Sequence, residues 1–163
     1  MRSKRPAAGG RRAGFTIVEM LVVVSIIGVL MGLIMTGVVA ARQAAGRSHT
    51  RLIIKQIEFA IERYQSDWGD FPPGEGALAG AEQLRAALTS PRNPGTYVTG
   101  NSPPAADPEA TGRQVFVDHW KRAIYYTHHR HYSGEPNADT YRLQSPGLDG
   151  RYNTDDDLTN WKK

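Results

Sequence analysis

The chain has 163 residues, no cysteine and a formal charge of +4. Arg2, Lys4, Arg5, Arg11 and Arg12 all fall in the first 14 residues, and without them fifteen basic side chains face sixteen acidic ones. The basic excess therefore belongs to the N-terminal tail. No basic patch interleaved with aromatics remains to argue for nucleic-acid binding. A small exported domain without disulfides must hold itself by core packing, by a metal or by assembly with copies of itself.

The first element is the stretch RRAGFTIVEMLVVVSIIGVLMGLIMTGVVAA. Residues 20–41 carry no charged side chain. As a helix they would rise about 33 Å, enough to cross a hydrocarbon core of about 30 Å. The preceding basic residues would stay cytoplasmic by the positive-inside bias, giving a single-pass anchor with the rest of the chain outside. Arg42, Arg47, Arg51 and Lys55 beyond the run pull the other way. A secretory signal peptide has a shorter apolar region closed by a small-residue cleavage site. A plain signal anchor explains the length but not Glu19, because an ionisable group at membrane depth is costly and needs a partner. Gly28 and Gly32 make a small-xxx-small pair, a weak helix-contact pattern.

The segment GFTIVE resembles the processing signature of type IV prepilins and type II secretion pseudopilins, in which a short basic leader ends at a glycine. The resemblance implies that a membrane-bound prepilin peptidase cuts between Gly14 and Phe15 and methylates the new Phe15 amino group. It also implies that Glu19 pairs with the Phe15 amino group of a neighbouring subunit in a helical filament. Two charges stranded in a low-dielectric surrounding each gain by neutralising the other. The family commonly carries a proline where this chain has Thr36, followed by Gly37, so helix opening on assembly is less sharply encoded here.

The helix is expected to continue to about Asp67. RLIIKQIEFAIERYQSDWGDFPP places Ile53, Ile57, Ala60 and Tyr64 at helical spacing, with Ile54, Ile61 and Trp68 alongside, and Gly69, Pro72 and Pro73 end it. A helix from Phe15 to Asp67 would be roughly 80 Å long. AEQLRAALTS reads as a second short helix over Gly80 to Thr89. Residues 90–113, with five prolines and three glycines, read as a surface loop. QVFVDHW, RAIYYTHH and ADTYRLQS read as strands, the last two separated by Ser133, Gly134, Glu135 and Pro136. An antiparallel sheet of about three strands against the long helix follows, an α+β arrangement.

The segment DHWKRAIYY loosely resembles the DPWGNPYQY type of segment in the type II secretion major pseudopilin family, at Asp118, Trp120 and Tyr125 or Tyr126. It lacks that segment's internal glycine and proline. Near the C-terminus, SPGLDGRYNTDDDLTNW holds Asp149, Asn153, Asp155, Asp156 and Asp157 within nine residues. Adjacent aspartates repel unless something positive sits among them. Hard oxygen donors without sulfur suit calcium, yet a solvated acidic turn has the same composition, and the spacing is not that of an EF-hand. The pseudopilin family ends in a similar loop, matched here by Ser145, Gly147, Asp149, Gly150, Asp155 to Asp157, Leu158 and Trp161. That resemblance implies calcium, held by Asp149, Asp155 and Asp156, with Asp157, Asn153 and backbone carbonyls near Pro146 and Arg151 less firmly assigned. A metal would then do what a C-terminal disulfide does in many type IV pilins.

His119, His128, His129 and His131 invite a zinc reading, but along a strand 129 and 131 share a face and 128 lies opposite, leaving no third ligand. The residues therefore read as an exposed polar strand. No nucleophile motif or phosphate loop argues for catalysis.

The resulting expectation is a type IV pilin-like chain in three parts. These are a cleaved leader over 1–14, a transmembrane and assembly helix over 15–41, and a periplasmic domain over 42–163. The domain comprises helix 42–68, a short helix and loops over 69–113, and the sheet and calcium loop over 114–163. The resemblance implies an inner-membrane protein that polymerises with itself in contact with membrane lipid. Its partners would be prepilin peptidase, an assembly platform with its ATPase and minor pseudopilins, and its filament would drive export of folded proteins. A type IV or DNA-uptake pilin is the rival reading. A membrane-anchored enzyme or metal-binding domain is a third.

Overall fold

A computed structural model describes residues 14–90, 97–98, 103–106, 108, 112, 114–133 and 137–161. Residues 1–13 of the expected leader and the turn residues Gly134 to Pro136 lie outside the described residues. Helix α1 (Ile17–Trp68) runs unbroken through Thr36 and Gly37. It crosses from one compact unit, ending at Ala40, into a second that begins at Ala41.

In the first unit, the large apolar side chains from Phe15 to Val39 are exposed. The helix is long and apolar enough to cross a membrane. So continuous an apolar surface calls for lipid or neighbouring helices. The Ser25 hydroxyl donates to the Leu21 carbonyl at 2.7 Å, so it adds no unpaired donor to that surface.

In the second unit the same helix buries one stripe. Ile53, Ile54, Ile57, Ala60 and Ile61 are buried together with Leu84 and Leu88 of α2 (Ala77–Thr89) and with Phe116, Ile124, Tyr126, Leu143 and Leu158. Tyr64 is only partly buried, and Trp68 is 53% exposed rather than in the core. It stacks on Tyr64 and donates its indole N–H to the Tyr97 hydroxyl at 3.2 Å. Helix α2 starts at Ala77, three residues before the expected Gly80. Gly80 is instead the point of closest approach: a Cβ there would strike the Tyr126 carbonyl. Only glycine lets α2 lie so near the sheet.

The sheet differs from the expected one in its third member. Strands β3 (Tyr125–His128), β4 (Tyr141–Ser145) and β5 (Leu158–Thr159) form it in that order, antiparallel, with Tyr126 opposite Leu143 and Ser145 opposite Leu158. QVFV contributes β2 (Val115–Phe116), which pairs with β1 (Ala105–Ala106) in a separate two-stranded ribbon. Its Val115 and Phe116 are both buried, so the segment is covered on both sides rather than alternating. Residues 90–113 are correspondingly not all surface: Tyr97 and Val98 are buried in the main core and Ala105–Ala106 is a strand. A two-residue strand amid prolines and glycines leaves almost no periodicity to read.

Candidate functional site

In the first unit, the stretch that resembles a processing signal is a capped helix start. The Thr16 N–H donates to Glu19 Oε2 at 2.9 Å, and the Glu19 N–H donates to the Thr16 hydroxyl at 3.2 Å. This reciprocal pair is a capping box, which satisfies two amides that a helix start leaves open. The Thr16 hydroxyl also donates to Glu19 Oε2 at 3.0 Å. The sequence reading missed this role of Glu19, although Thr-x-x-Glu before an apolar run is its signature. Within one chain, Glu19 therefore already has partners. Phe15 is 72% exposed just before it.

In the second unit, the acidic loop hangs between β4 and β5. Its entrance is fixed by a buried carboxylate. Asp118 accepts the Trp120 and Arg122 amides through Oδ1, at 2.8 and 2.9 Å, and the Ser145 hydroxyl through Oδ2 at 2.8 Å. The turn it holds puts Lys121 at φ +66°, the left-handed region, at the place where the pseudopilin segment has its glycine. Arg122 then reaches into the loop. Its Nη1 donates to the Gly147 carbonyl at 2.6 Å, and a Cβ on Gly150 would fall 2.7 Å from its Cζ.

The loop's aspartates mostly face its own amides. Asp156 Oδ2 accepts Leu148 N–H at 2.8 Å and Asp149 N–H at 3.0 Å, while Oδ1 accepts the Thr154 hydroxyl at 2.7 Å. Burial alone would raise the Asp156 pKa, but the bonds from Thr154 and from the two amides win and hold it below the usual carboxylate value. Asp157 is buried, and its Oδ2 accepts from Asn153 N–H at 2.7 Å and Gln144 Nε2 at 2.6 Å. Asp149 is exposed and accepts Arg151 N–H at 2.8 Å. Asp155 is exposed and, with Asp156 and Asp157, lines a cavity of about 190 Å³ shared with Arg47 and Arg51 of α1. Arg47 and Arg51 thus stand at the cavity beside the aspartates and Arg122 is bonded to the loop backbone at Gly147, and none of the three was tied to the loop by the sequence.

The donor chemistry of the loop, all hard oxygen, fits calcium. Its carboxylates are not gathered as a ready cluster: among the described residues, the three acidic or imidazole side chains with ligand atoms within 4.8 Å are Asp70, His128 and His129. This also revises the reading of the histidines. The strand ends at His128, and a 3-10 turn (His129–His131) begins, so the rings of 128 and 129 lie side by side, 4.2 Å between centroids. His128 is buried rather than exposed.

The prokaryotic N-terminal methylation motif matches residues 9–35. Beyond that motif, the chain is similar to proteins named type II secretion system core protein G. It is 29% identical to the Escherichia coli K12 protein, over 94% of each chain. It is 28% identical to that of Pectobacterium carotovorum subsp. carotovorum, over 94% of this chain and 87% of that one. It is 26% identical to that of Aeromonas hydrophila, over 93% of each. The crystal structure of the major pseudopilin from the type 2 secretion system of enterohaemorrhagic Escherichia coli is 21% identical, covers 76% of this chain and 92% of that one, and has a TM-score of 0.46. Along more than nine-tenths of its length the chain is thus similar to type II secretion core protein G, with an N-terminal methylation motif at its start.

Proposed function

We propose that this chain is the major structural subunit of a type II secretion pseudopilus. The observation that carries the reading is the near full-length similarity to core protein G from several bacteria, together with the methylation motif over residues 9–35. The leader is removed after Gly14 by prepilin peptidase, Phe15 is methylated, and the exposed apolar half of α1 holds the subunit in the inner membrane, leader side cytoplasmic and domain periplasmic. Subunits then leave the membrane by packing those helices against one another. An assembly platform with its ATPase drives the step, and minor pseudopilins complete the filament.

Glu19 has two successive tasks in this reading. It caps its own helix through Thr16, and on assembly its carboxylate neutralises the Phe15 amino group of a neighbouring subunit. A carboxylate has lone pairs for both. The test is export in a strain lacking the gene. Returning the wild-type chain restores secretion of folded proteins, whereas Glu19→Ala accumulates in the membrane and does not restore it. Full secretion from Glu19→Ala would remove the assembly role.

We further propose that the loop over residues 145–158 takes calcium. Asp149, Asp155 and Asp156 would supply side-chain ligands, with Asp157, Asn153 and backbone carbonyls beside Pro146 and Arg151. Support comes from the all-oxygen donor set, the ionised state of Asp156 and the open cavity beside Asp155. Calcium at 100 times its dissociation constant would stabilise the domain by about 2.7 kcal/mol. The full chain in detergent should therefore melt several degrees higher with calcium than with a chelator, and Asp149→Ala should abolish the difference. Equal melting in both would remove calcium from the loop.

A further inference from the structure

We propose that Asp70, His128 and Arg130 form a proton-sensitive latch that fastens the segment leaving α1 to the end of β3 and is closed while the His128 ring is neutral. The bonds define the ring's state. The Arg130 amide, in the 3-10 turn, donates to His128 Nδ1 at 3.1 Å, so Nδ1 carries the lone pair and Nε2 the proton. Nε2–H then points at Asp70 Oδ1, 3.3 Å away. Asp70 is held in turn by the Phe71 amide at 2.8 Å and by the Arg130 guanidinium on Oδ2 at 2.6 Å. The His128 amide donates to the Gly74 carbonyl at 2.9 Å, so backbone and side chain both tie this strand end to residues 70–74.

A second proton has nowhere to go. On Nδ1 it would face the Arg130 N–H, donor against donor, and the 3-10 turn would lose its cap. The surroundings decide in the same direction. The His128 side chain is only 5% exposed. Its removal from water, electrostatic repulsion from the neighbouring His129 and the Arg130 guanidinium all disfavour the imidazolium, and Asp70 alone favours it. The net effect holds the His128 pKa below its usual 6.5. His129 Nδ1 is buried beside it with no hydrogen-bond partner among the described residues. From the other elements, Phe71 packs its ring edge on His128, and Tyr141 of β4, opposite in register, stays neutral because burial, with Glu58 and Glu62 of α1, pushes its pKa up.

The same wiring argues against a metal at Asp70, His128 and His129, despite their spacing. A ligating imidazole donates its other N–H to an acceptor, whereas the second nitrogen of His128 faces a donor and Asp70 is taken by Arg130. Because the fold prefers the neutral ring, the latch's stabilisation is complete above pH 6.5 and is lost as pH falls from 6.5 through the folded-state value. Protonation would break the Arg130 N–H bond to Nδ1 and free the 3-10 turn beside the cavity of about 330 Å³ lined by Trp68, Phe71 and His131, while Nε2–H still faces Asp70.

The experiment is side-chain nitrogen NMR of the full chain in detergent micelles between pH 8 and 5, read with amide exchange at Arg130. The expected result is an Nε2–H tautomer at pH 8 and a His128 midpoint below 6.5. Arg130 protection should fall by up to about tenfold per pH unit as pH drops from 6.5 to that midpoint and level off below it. Asp70→Asn, which removes the one group favouring the charged ring, should move the midpoint lower still. Zinc chloride at pH 8 should leave the spectrum unchanged. An Nδ1–H tautomer, a midpoint at or above 6.5, or unaltered Arg130 protection would overturn the proposal in the wild-type chain alone. A zinc-induced tautomer change would replace the latch with a metal site.

Discussion

Two halves of one helix meet opposite fates. From Ile17 to Val39, α1 shows its apolar side chains all round and buries none of the large ones, whereas from Thr50 to Ile61 it buries a single stripe and keeps Arg51, Lys55 and Glu58 on other faces. Backbone hydrogen bonding is the same in both. What differs is the breadth of the apolar surface, and that breadth states what each half needs. A stripe is satisfied by one small domain, whereas an all-round surface is satisfied only by lipid or by other helices. The first half is therefore unfinished as a monomer, and the second is finished.

The widest separation between the halves should come from truncating an apolar side chain in each. Ile57 is 0% exposed, so Ile57→Ala should destabilise the domain by about 2–5 kcal/mol, read as a lowered unfolding midpoint of the full chain in detergent. Val29 is 66% exposed, and Val29→Ala should move the same midpoint by less than about 0.5 kcal/mol. Comparable losses at the two positions would mean that the first half has a partner within the monomer.

A smaller effect of opposite sign is expected at the turn that feeds the acidic loop. Lys121 sits at φ +66°, where an L-residue costs about 1–2 kcal/mol, and glycine would give back part of that through its own entropy. Lys121→Gly should stabilise the domain by about 0.5–1 kcal/mol. A loss instead would show that the Lys121 side chain contributes more than its backbone strain costs.

The halves also differ in how much of them the sequence reveals. The apolar run and the buried stripe from Ile53 to Ile61 are local patterns, legible because helix period and composition need no tertiary information. The same locality should have exposed the Thr16–Glu19 capping box, which a search for charge partners passed over. The sheet was harder. Leu158–Thr159 is too short to show alternation and becomes a strand only because Asn160 and Leu158 meet Leu143 and Ser145 of β4. The environment of the acidic loop was least legible. Arg122 lies 25 residues from Gly147, and Arg47 and Arg51 come from a helix more than 100 residues earlier. Nor did strand geometry foresee that a 3-10 turn would bring His128 beside His129.

The most direct test of the account asks whether the unfinished half of α1 is finished by its own copies through Glu19. Glu19→Gln keeps an acceptor for Thr16, as a capping box allows, but removes the charge. The measurement is the fraction of chain, processed after Gly14, that sediments as filaments from cells carrying the assembly machinery. The account predicts abundant filaments from the wild type and a collapse to membrane-bound subunits for both Glu19→Gln and Glu19→Ala. Wild-type filament levels from Glu19→Gln, with loss only in Glu19→Ala, would show that Glu19 serves as a helix cap and that no charge pairing between subunits drives assembly.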